Sequence, residues 1–114
     1  MPYNDSVIET TFSALADPTR RAVVQTLSNG PAAVSHLAQP FDMALPSFTQ
    51  HLAVLEDAGL IESRRQGRMR VCSLNLEMLS VAEDWLAAHR RQAEKRLNRL
   101  EAHLKQQKKE KSNE

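Results

Sequence analysis

The sequence predicts a mainly α-helical fold with one small β-hairpin, in the order helix, helix, helix, helix, strand, strand, helix. Apolar residues recur every three to four positions through residues 6–58 and again from residue 77 onwards. Between these stretches, segments 60–65 and 69–74 flank the tight turn Gln66-Gly67-Arg68, which is typical of a hairpin. A chain of 114 residues, 41% of them hydrophobic, is expected to form one compact domain.

Two helices are predicted near the start of the chain, each with its own N-terminal signal. Ser6 and Glu9 have the spacing of a capping box. Asp17 followed by Pro18 indicates an N-cap and then a residue whose missing N–H costs nothing at the first helical position, and Asn29-Gly30 ends this second helix. The positions expected to face inward are Val7, Ile8, Thr11, Phe12, Leu15, Ala22, Val23 and Leu27.

A short helix, a turn and a longer helix follow. The short helix is predicted over 33–39 and stopped by Pro40, and the longer one over 45–58 and ended by Gly59. At 100° per residue the longer helix has one inward face, formed by Leu45, Phe48, Leu52 and Leu55. Its opposite face carries Pro46, Ser47, Gln50 and Val54, with Thr49 and His51 on the flanks.

The outward face of this longer helix suits DNA. There is no acid from Met43 to Leu55, whereas Glu56 and Asp57 lie at the C-terminal end. Gln50 can pair with adenine through two hydrogen bonds, and serine or threonine hydroxyls can bind base edges or phosphates. A core helix whose outer face is merely hydrated would show the same pattern, so both interpretations stay open for this helix alone. The candidate DNA-contacting residues are Pro46, Ser47, Thr49, Gln50 and His51.

The hairpin carries four arginines, Arg64, Arg65, Arg68 and Arg70, and no acid lies among them. Guanidinium groups match phosphate oxygens and narrow minor grooves. A solvated charged loop is the alternative, but it explains neither the absence of acids nor the position directly after the candidate DNA-binding helix. We therefore expect a wing that contacts DNA through these arginines.

The last predicted helix, capped by Asn75 and running from Glu77 beyond Leu104, has the pattern of a helix pair. Leucines and an alanine recur at spacings of seven, four, three and four. Together with the apolar stripe of the first helix, this seam is expected to pair two copies of the chain across a two-fold axis. The predicted dimer residues are Val7, Ile8, Phe12, Trp85, Leu86, Ala93, Leu97, Leu100 and Leu104.

With these elements in order, the chain resembles the ArsR-type family of winged helix-turn-helix repressors. The matching strings are FSALADPTRRAVVQTL, LAQPFDMALPSFTQHLAVLEDAGLI and SRRQGRMRVCSLN. The last helix, DWLAAHRRQAEKRLNRLEAHL, is similar to that of autorepressors linked to genes for START-like domains. The resemblance implies a homodimer that binds an imperfect palindrome in double-stranded DNA, usually at its own promoter, and leaves it when a signal arrives.

The resemblance does not extend to the family's metal ligands. Metal-sensing members carry paired cysteines on the third helix, where this chain has Ser35 and His36. Members that bind zinc across the last helices use acid and histidine pairs that Asp84, His89 and His103 do not reproduce. We expect no metal or other cofactor, and the sequence identifies no small-molecule inducer. Cys72 on the second hairpin strand is interpreted either as a small buried hydrophobe or as a redox-active thiol. Ala44 occupies a position where many relatives have a hydroxyl residue that caps the helix.

The sequence favours an enzyme, a membrane protein or a protein-binding scaffold less than it favours a DNA-binding protein. No nucleophile with a base, phosphate loop or carboxylate pair indicates an enzyme. A single cysteine, an N-terminus without a signal-peptide pattern and the lack of a long apolar run favour a cytoplasmic protein without membrane contact. The alternative is a winged-helix scaffold that binds proteins instead of DNA. The expected domain covers residues 1–106, followed by a disordered charged tail over 107–114.

Overall fold

The computed structural model describes residues 5–112 and has the predicted order of helices and hairpin. The elements are α1 (Asp5–Leu15), α2 (Pro18–Leu27), β1 (Ala32–Ala33), α3 (Val34–Ala38), α4 (Leu45–Asp57), β2 (Ile61–Gln66), β3 (Met69–Leu74) and α5 (Leu76–Ser112). The predicted fold class, mainly α-helical with a winged helix-turn-helix arrangement, is confirmed. One element was missed: β1 pairs antiparallel with β3, so the hairpin is part of a three-stranded sheet in the order β1-β3-β2. Two alanines are too short a segment to show a strand period.

The start of α2 is as predicted, whereas that of α1 is not. Asp17 accepts a hydrogen bond from the backbone N–H of Arg20 at 3.1 Å, which is the N-cap geometry. Ser6 was wrongly predicted as a cap, because it lies inside α1, where its carbonyl accepts a hydrogen bond from the Thr10 hydroxyl. Thr11 is buried, and its hydroxyl donates to the carbonyl of Val7 at 2.8 Å, so no hydrogen-bonding group is lost by burial.

The core lies where α1 to α4 pack on the sheet. Its largest fully buried side chains are Phe48, Leu55, Leu60, Ile61, Val23, Thr11 and Cys72. The rings of Phe41 and Phe48 stack with centroids 5.5 Å apart, which closes the turn between α3 and α4 onto this core. Leu45 was predicted to face inward, but it is 58% exposed. It is the first residue of α4 and lies almost one turn before Phe48, beyond the edge of the core.

Gly59 ends α4 as predicted. Its φ is +76°, a conformation that L-residues with a side chain rarely adopt. The N–H of Gly59 donates to the carbonyl of Glu56, and that of Leu60 donates to the carbonyl of Leu55, which is the Schellman pattern. A β-carbon at Gly59 would also lie 3.3 Å from Cγ of Met78. The glycine therefore turns the chain sharply from α4 into β2.

The last helix is longer than expected. The chain divides into two units, Met1–Ala82 and Glu83–Glu114, and α5 begins in the first and makes up the second as far as Ser112. Asn75 caps it by accepting a hydrogen bond from the backbone N–H of Glu77 at 3.1 Å, as predicted. Residues 107–112 are helical here because lysine, glutamine and glutamate are strong helix formers. Despite its length, α5 is too polar to cross a membrane, and no other helix within 5–112 is long and apolar enough.

Candidate nucleic-acid interface

The helix α4 presents the face that the sequence predicted. Phe48, Leu52 and Leu55 are buried beneath it. The outward side chains Pro46, Ser47, Gln50 and Val54 are all exposed, and so is Thr49. The burial period of three to four residues thus turns one side of α4 to the core and leaves a short polar surface at its N-terminal half.

The N-terminus of α4 keeps backbone donors available. The N-cap is Ala44, whose side chain makes no capping hydrogen bond, and Pro46 has no N–H to satisfy. The hydroxyl of Thr49 donates to the carbonyl of Pro46 at 3.0 Å, so it does not cap the helix either. Backbone N–H groups of a first helical turn carry partial positive charge and suit a phosphate. A capping hydroxyl at position 44 would compete for those donors.

His51 has partners inside the protein. Its Nδ1 atom lies 3.1 Å from Nη1 of Arg20 and 3.7 Å from Oδ2 of Asp17. The hydrogen bond from the Arg20 backbone N–H is the main reason that the pKa of Asp17 lies below its usual value. Neither Arg20 nor Asp17 was singled out for this contact in the sequence. No pattern links them to His51, which lies 31 residues after Arg20.

The wing, defined as β2, β3 and their turn, is a tight hairpin. Gln66 pairs with Met69, so the connection is the two-residue loop Gly67-Arg68. Gly67 has a φ of +61° and Arg68 does not have a positive φ, as in type II′ turns. All residues from 64 to 70 are exposed. Within residues 5–112, Arg64, Arg65 and Arg68 have no ion pair, so three guanidinium groups of the wing face solvent.

The fourth wing arginine is held by an acid. Arg70 lies directly opposite Arg65 in the β2–β3 register, where like charges repel. Its Nη2 atom contacts the two carboxylate oxygens of Glu56 at 3.2 and 3.3 Å, and its Nε donates to the Ser63 hydroxyl at 3.0 Å. Ser63 in turn donates to Glu56. Glu56, near the C-terminal end of α4, thus folds against the wing and joins α4 to both strands.

The predicted dimer residues fall into two groups. On α1, Val7, Ile8 and Phe12 are half-buried. On α5, the leucine seam is open: Leu86, Leu97, Leu100 and Leu104 are each more than half exposed, and Ala93 between them is exposed too. Trp85 is half-buried and its ring lies 4.1 Å from that of His89. A row of exposed leucines on one helical face is the pattern that a second helix covers.

No metal centre is evident in the described part of the chain, since no group of three histidine, cysteine or acidic side chains is close enough to hold an ion. Ser35 and His36 are exposed on α3. Cys72 is a free, buried cysteine, and its burial raises the pKa of the thiol, with the neighbouring Glu56 carboxylate acting in the same direction. The thiol is therefore protonated at neutral pH and packs as a small hydrophobe.

Comparison with known proteins finds similarity to helix-turn-helix domains and to transcriptional regulators. Residues 15–64 match the model of a helix-turn-helix domain family. The transcriptional repressor SdpR of Bacillus subtilis is 33% identical over 75 residues, covering 66% of this chain and 83% of SdpR. The regulator Rv2034 of Mycobacterium tuberculosis is 45% identical over 64 residues, covering 56% of this chain and 60% of that protein. A crystal structure of an ArsR family transcriptional regulator superposes with a TM-score of 0.77 and 50% identity, covering 81% of this chain and 95% of the other.

Proposed function

Because the chain belongs to the ArsR family of winged helix-turn-helix transcriptional regulators, we propose that it is a homodimeric repressor of the cytoplasm that binds an imperfect palindrome. In this proposal α4 is the recognition helix and enters the major groove with its N-terminal half. The wing lies on the flanking phosphates. The protein SdpR, 83% of which aligns with this chain, is named a transcriptional repressor.

One observation carries the DNA-binding proposal: the exposed half of α4 has no acid and stands beside a hairpin with three unpaired arginines in the described chain. A protein partner does not require such a surface, whereas a polyanion does. We assign base contacts to Gln50, with Ser47 and Thr49 on base edges or phosphates. In this assignment Pro46 packs beside the sugar-phosphate backbone of the DNA. Arg64, Arg65 and Arg68 neutralise phosphates.

The leucine seam supports the homodimer. Pairing two copies through Leu97, Leu100 and Leu104, together with the apolar side of α1, would remove the exposed leucines from water. A two-fold axis would then present two recognition helices to successive major grooves, about 34 Å apart. A palindromic site follows from this symmetry.

We further propose that the signal is not a metal ion and that the chain represses its own promoter, as the autorepressors near START-like genes do. The support is the resemblance of the last helix and the set of side chains at the family's metal positions. Ser35 and His36 on α3 offer no thiolate, and Cys72 is buried with a raised pKa. The inducer would then be a small molecule whose identity the sequence does not give.

The proposal is tested by selecting bound fragments from sheared genomic DNA and sequencing them. The expected result is an enriched imperfect palindrome that includes the region upstream of the chain's own gene. Fragments without a shared site, or no retention of DNA at low salt, would instead favour a winged-helix scaffold for protein partners.

The role of Gln50 is tested with the selected duplex. Gln50→Ala should weaken binding to that duplex by about 1 to 3 kcal/mol per adenine contact and leave binding to a random duplex nearly unchanged. Val54→Ala, one turn further along the same exposed face, is the matched control. Equal losses on both duplexes would remove Gln50 from base recognition.

A further inference from the structure

The guanidinium of Arg20 joins the end of α1 to the recognition helix. Its Nε atom donates to the carbonyl of Ala14 at 2.7 Å, and its Nη2 atom donates to the carbonyl of Ser13 at 3.3 Å. Its Nη1 atom lies 3.1 Å from Nδ1 of His51 on α4. The two carbonyls belong to the last turn of α1, and that of Ser13 also accepts from the backbone N–H of Ala16 at 3.1 Å. One side chain of α2 therefore contacts two other helices.

The contact with Arg20 bears on which ring nitrogen of His51 carries the proton. Arginine has five N–H donors and no acceptor, so Nδ1 of His51 can only accept from it. A ring that accepts this hydrogen bond at Nδ1 carries its proton on Nε2. Protonation would place an N–H on Nδ1, facing the Arg20 guanidinium with the same charge. The Asp17 carboxylate, whose Oδ2 atom lies 3.7 Å from the same Nδ1, would then face that N–H.

We propose that Arg20 and His51 form a positioning pair, and that neutral His51 is the form in which the recognition helix is correctly placed for DNA. The proposal rests on the DNA-binding role of α4 proposed above. His51 follows Gln50 directly, so the contact constrains the turn of α4 that carries the proposed base contact. Losing it would free this turn from α1 and misplace Gln50, even though neither member of the pair contacts a base.

Within residues 5–112, no ion pair joins His51 to another residue of α4. Its side chain is about one quarter exposed, as is that of Asp17. Arg21 is occupied at the end of α1 with the carbonyl of Leu15 at 3.0 Å. Of the charged groups on the neighbouring elements, Asp17 and Arg20 contact His51. Glu9 and Asp57 line the groove between α1 and α4.

The positioning pair and a direct DNA contact predict opposite pH responses. If His51 touched a phosphate, acidification would add a positive charge to the interface and strengthen binding. If His51 must accept from Arg20, acidification breaks the pair and weakens binding. Histidine is the side chain that changes charge between pH 5 and 8, so this range contains the test.

The experiment measures affinity for the selected duplex from pH 8 to 5.5 at constant ionic strength. Wild type should lose about tenfold or more on acidification, the effect of one lost hydrogen bond to a charged group. His51→Asn keeps an acceptor at the Nδ1 position and does not titrate, so it should bind well with a flat profile. His51→Leu should bind weakly throughout. His103→Asn, exposed near the end of α5, is the control and should keep the wild-type profile.

Two results would overturn the pair: affinity that rises on acidification, or a wild-type loss that persists in His51→Asn. Thermal unfolding of each variant, measured alongside, identifies any that has lost its fold. A long-range ¹H–¹⁵N spectrum of the full chain at pH 7.5 is independent of DNA and should show the proton on Nε2. A proton on Nδ1 contradicts the pair. Failure of wild type to bind any duplex refutes the proposed function instead, and the spectrum then decides the pair.

Discussion

Replacing Arg68 with alanine removes a wing charge that has no partner in the described protein. Arg68 is exposed in the two-residue turn and has no ion pair within residues 5–112. In the proposed homodimer the change removes two phosphate contacts. Each contributes about 0.9 to the slope of log affinity against log salt, so the slope should flatten by about 1.8. From about 50 to 200 mM salt, wild type should therefore lose about 12-fold more affinity than the variant.

Arg70 provides the matched comparison, because Glu56 neutralises it at 3.2 Å. Arg70→Ala should flatten the slope less than Arg68→Ala does, since the Glu56 carboxylate competes with phosphate for Arg70. Glu56→Gln should do the reverse, releasing Arg70 to the DNA and steepening the slope by up to about 1.8. The double variant Glu56→Gln/Arg70→Ala should not show this steeper salt dependence, because the released arginine is absent.

Fluorescence anisotropy with a labelled operator duplex, at several salt concentrations and one pH, measures the slopes of wild type and the four variants. The reasoning is refuted if Arg68→Ala leaves the slope unchanged. It is also refuted if Arg70→Ala flattens the slope as much as Arg68→Ala does while Glu56→Gln has no effect, because the carboxylate would then not be restraining Arg70.

Three further predictions concern stability and assembly. Leu55→Ala, at a side chain with no exposed surface, should lower the free energy of unfolding in urea by about 2 to 5 kcal/mol, whereas Leu45→Ala in the same helix should change it by only about 0.5 kcal/mol. Leu97→Glu should dissociate the proposed dimer in sedimentation equilibrium, while Lys95→Glu on another face of α5 should not. Folding lowers the pKa of Asp17, so the ionised carboxylate stabilises the fold above the unfolded-state pKa, and this contribution disappears as the pH falls through the folded-state pKa. In thermal unfolding between pH 7 and 3, Asp17→Asn should therefore lose less stability on acidification than wild type. An identical loss would contradict the role of the cap.

Features that depend on neighbours in the sequence could be predicted. The Asp17-Pro18 start of α2, the Gly59 end of α4 and the turn at Gly67 each follow from the backbone preferences of one or two residues. The buried and exposed faces of α4 follow from helical periodicity over its length. These local signals were enough to place Gln50 and the wing arginines on the surface.

Features that depend on contacts between distant residues could not be predicted. The strand β1 is two alanines that become a strand only because β3 offers paired backbone groups. Leu45 satisfies the periodicity of α4, but the core ends before it. The absence of acids around the wing suggested four available arginines, yet Glu56 reaches Arg70 from 14 residues away. Sequence distance thus concealed both charged contacts of α4.

Those two contacts restrain α4 at two positions along its length. Toward its middle, His51 is held by Arg20 against the end of α1, and near its C-terminus Glu56 is held by Arg70 and Ser63 of the wing. Base recognition needs placement within about 0.5 Å, whereas phosphate attraction tolerates larger shifts. Breaking either restraint should therefore lower the ratio of the affinity for the selected palindrome to the affinity for random DNA. Arg68→Ala should weaken both equally, which separates the residues that place the recognition helix from those that only attract the duplex.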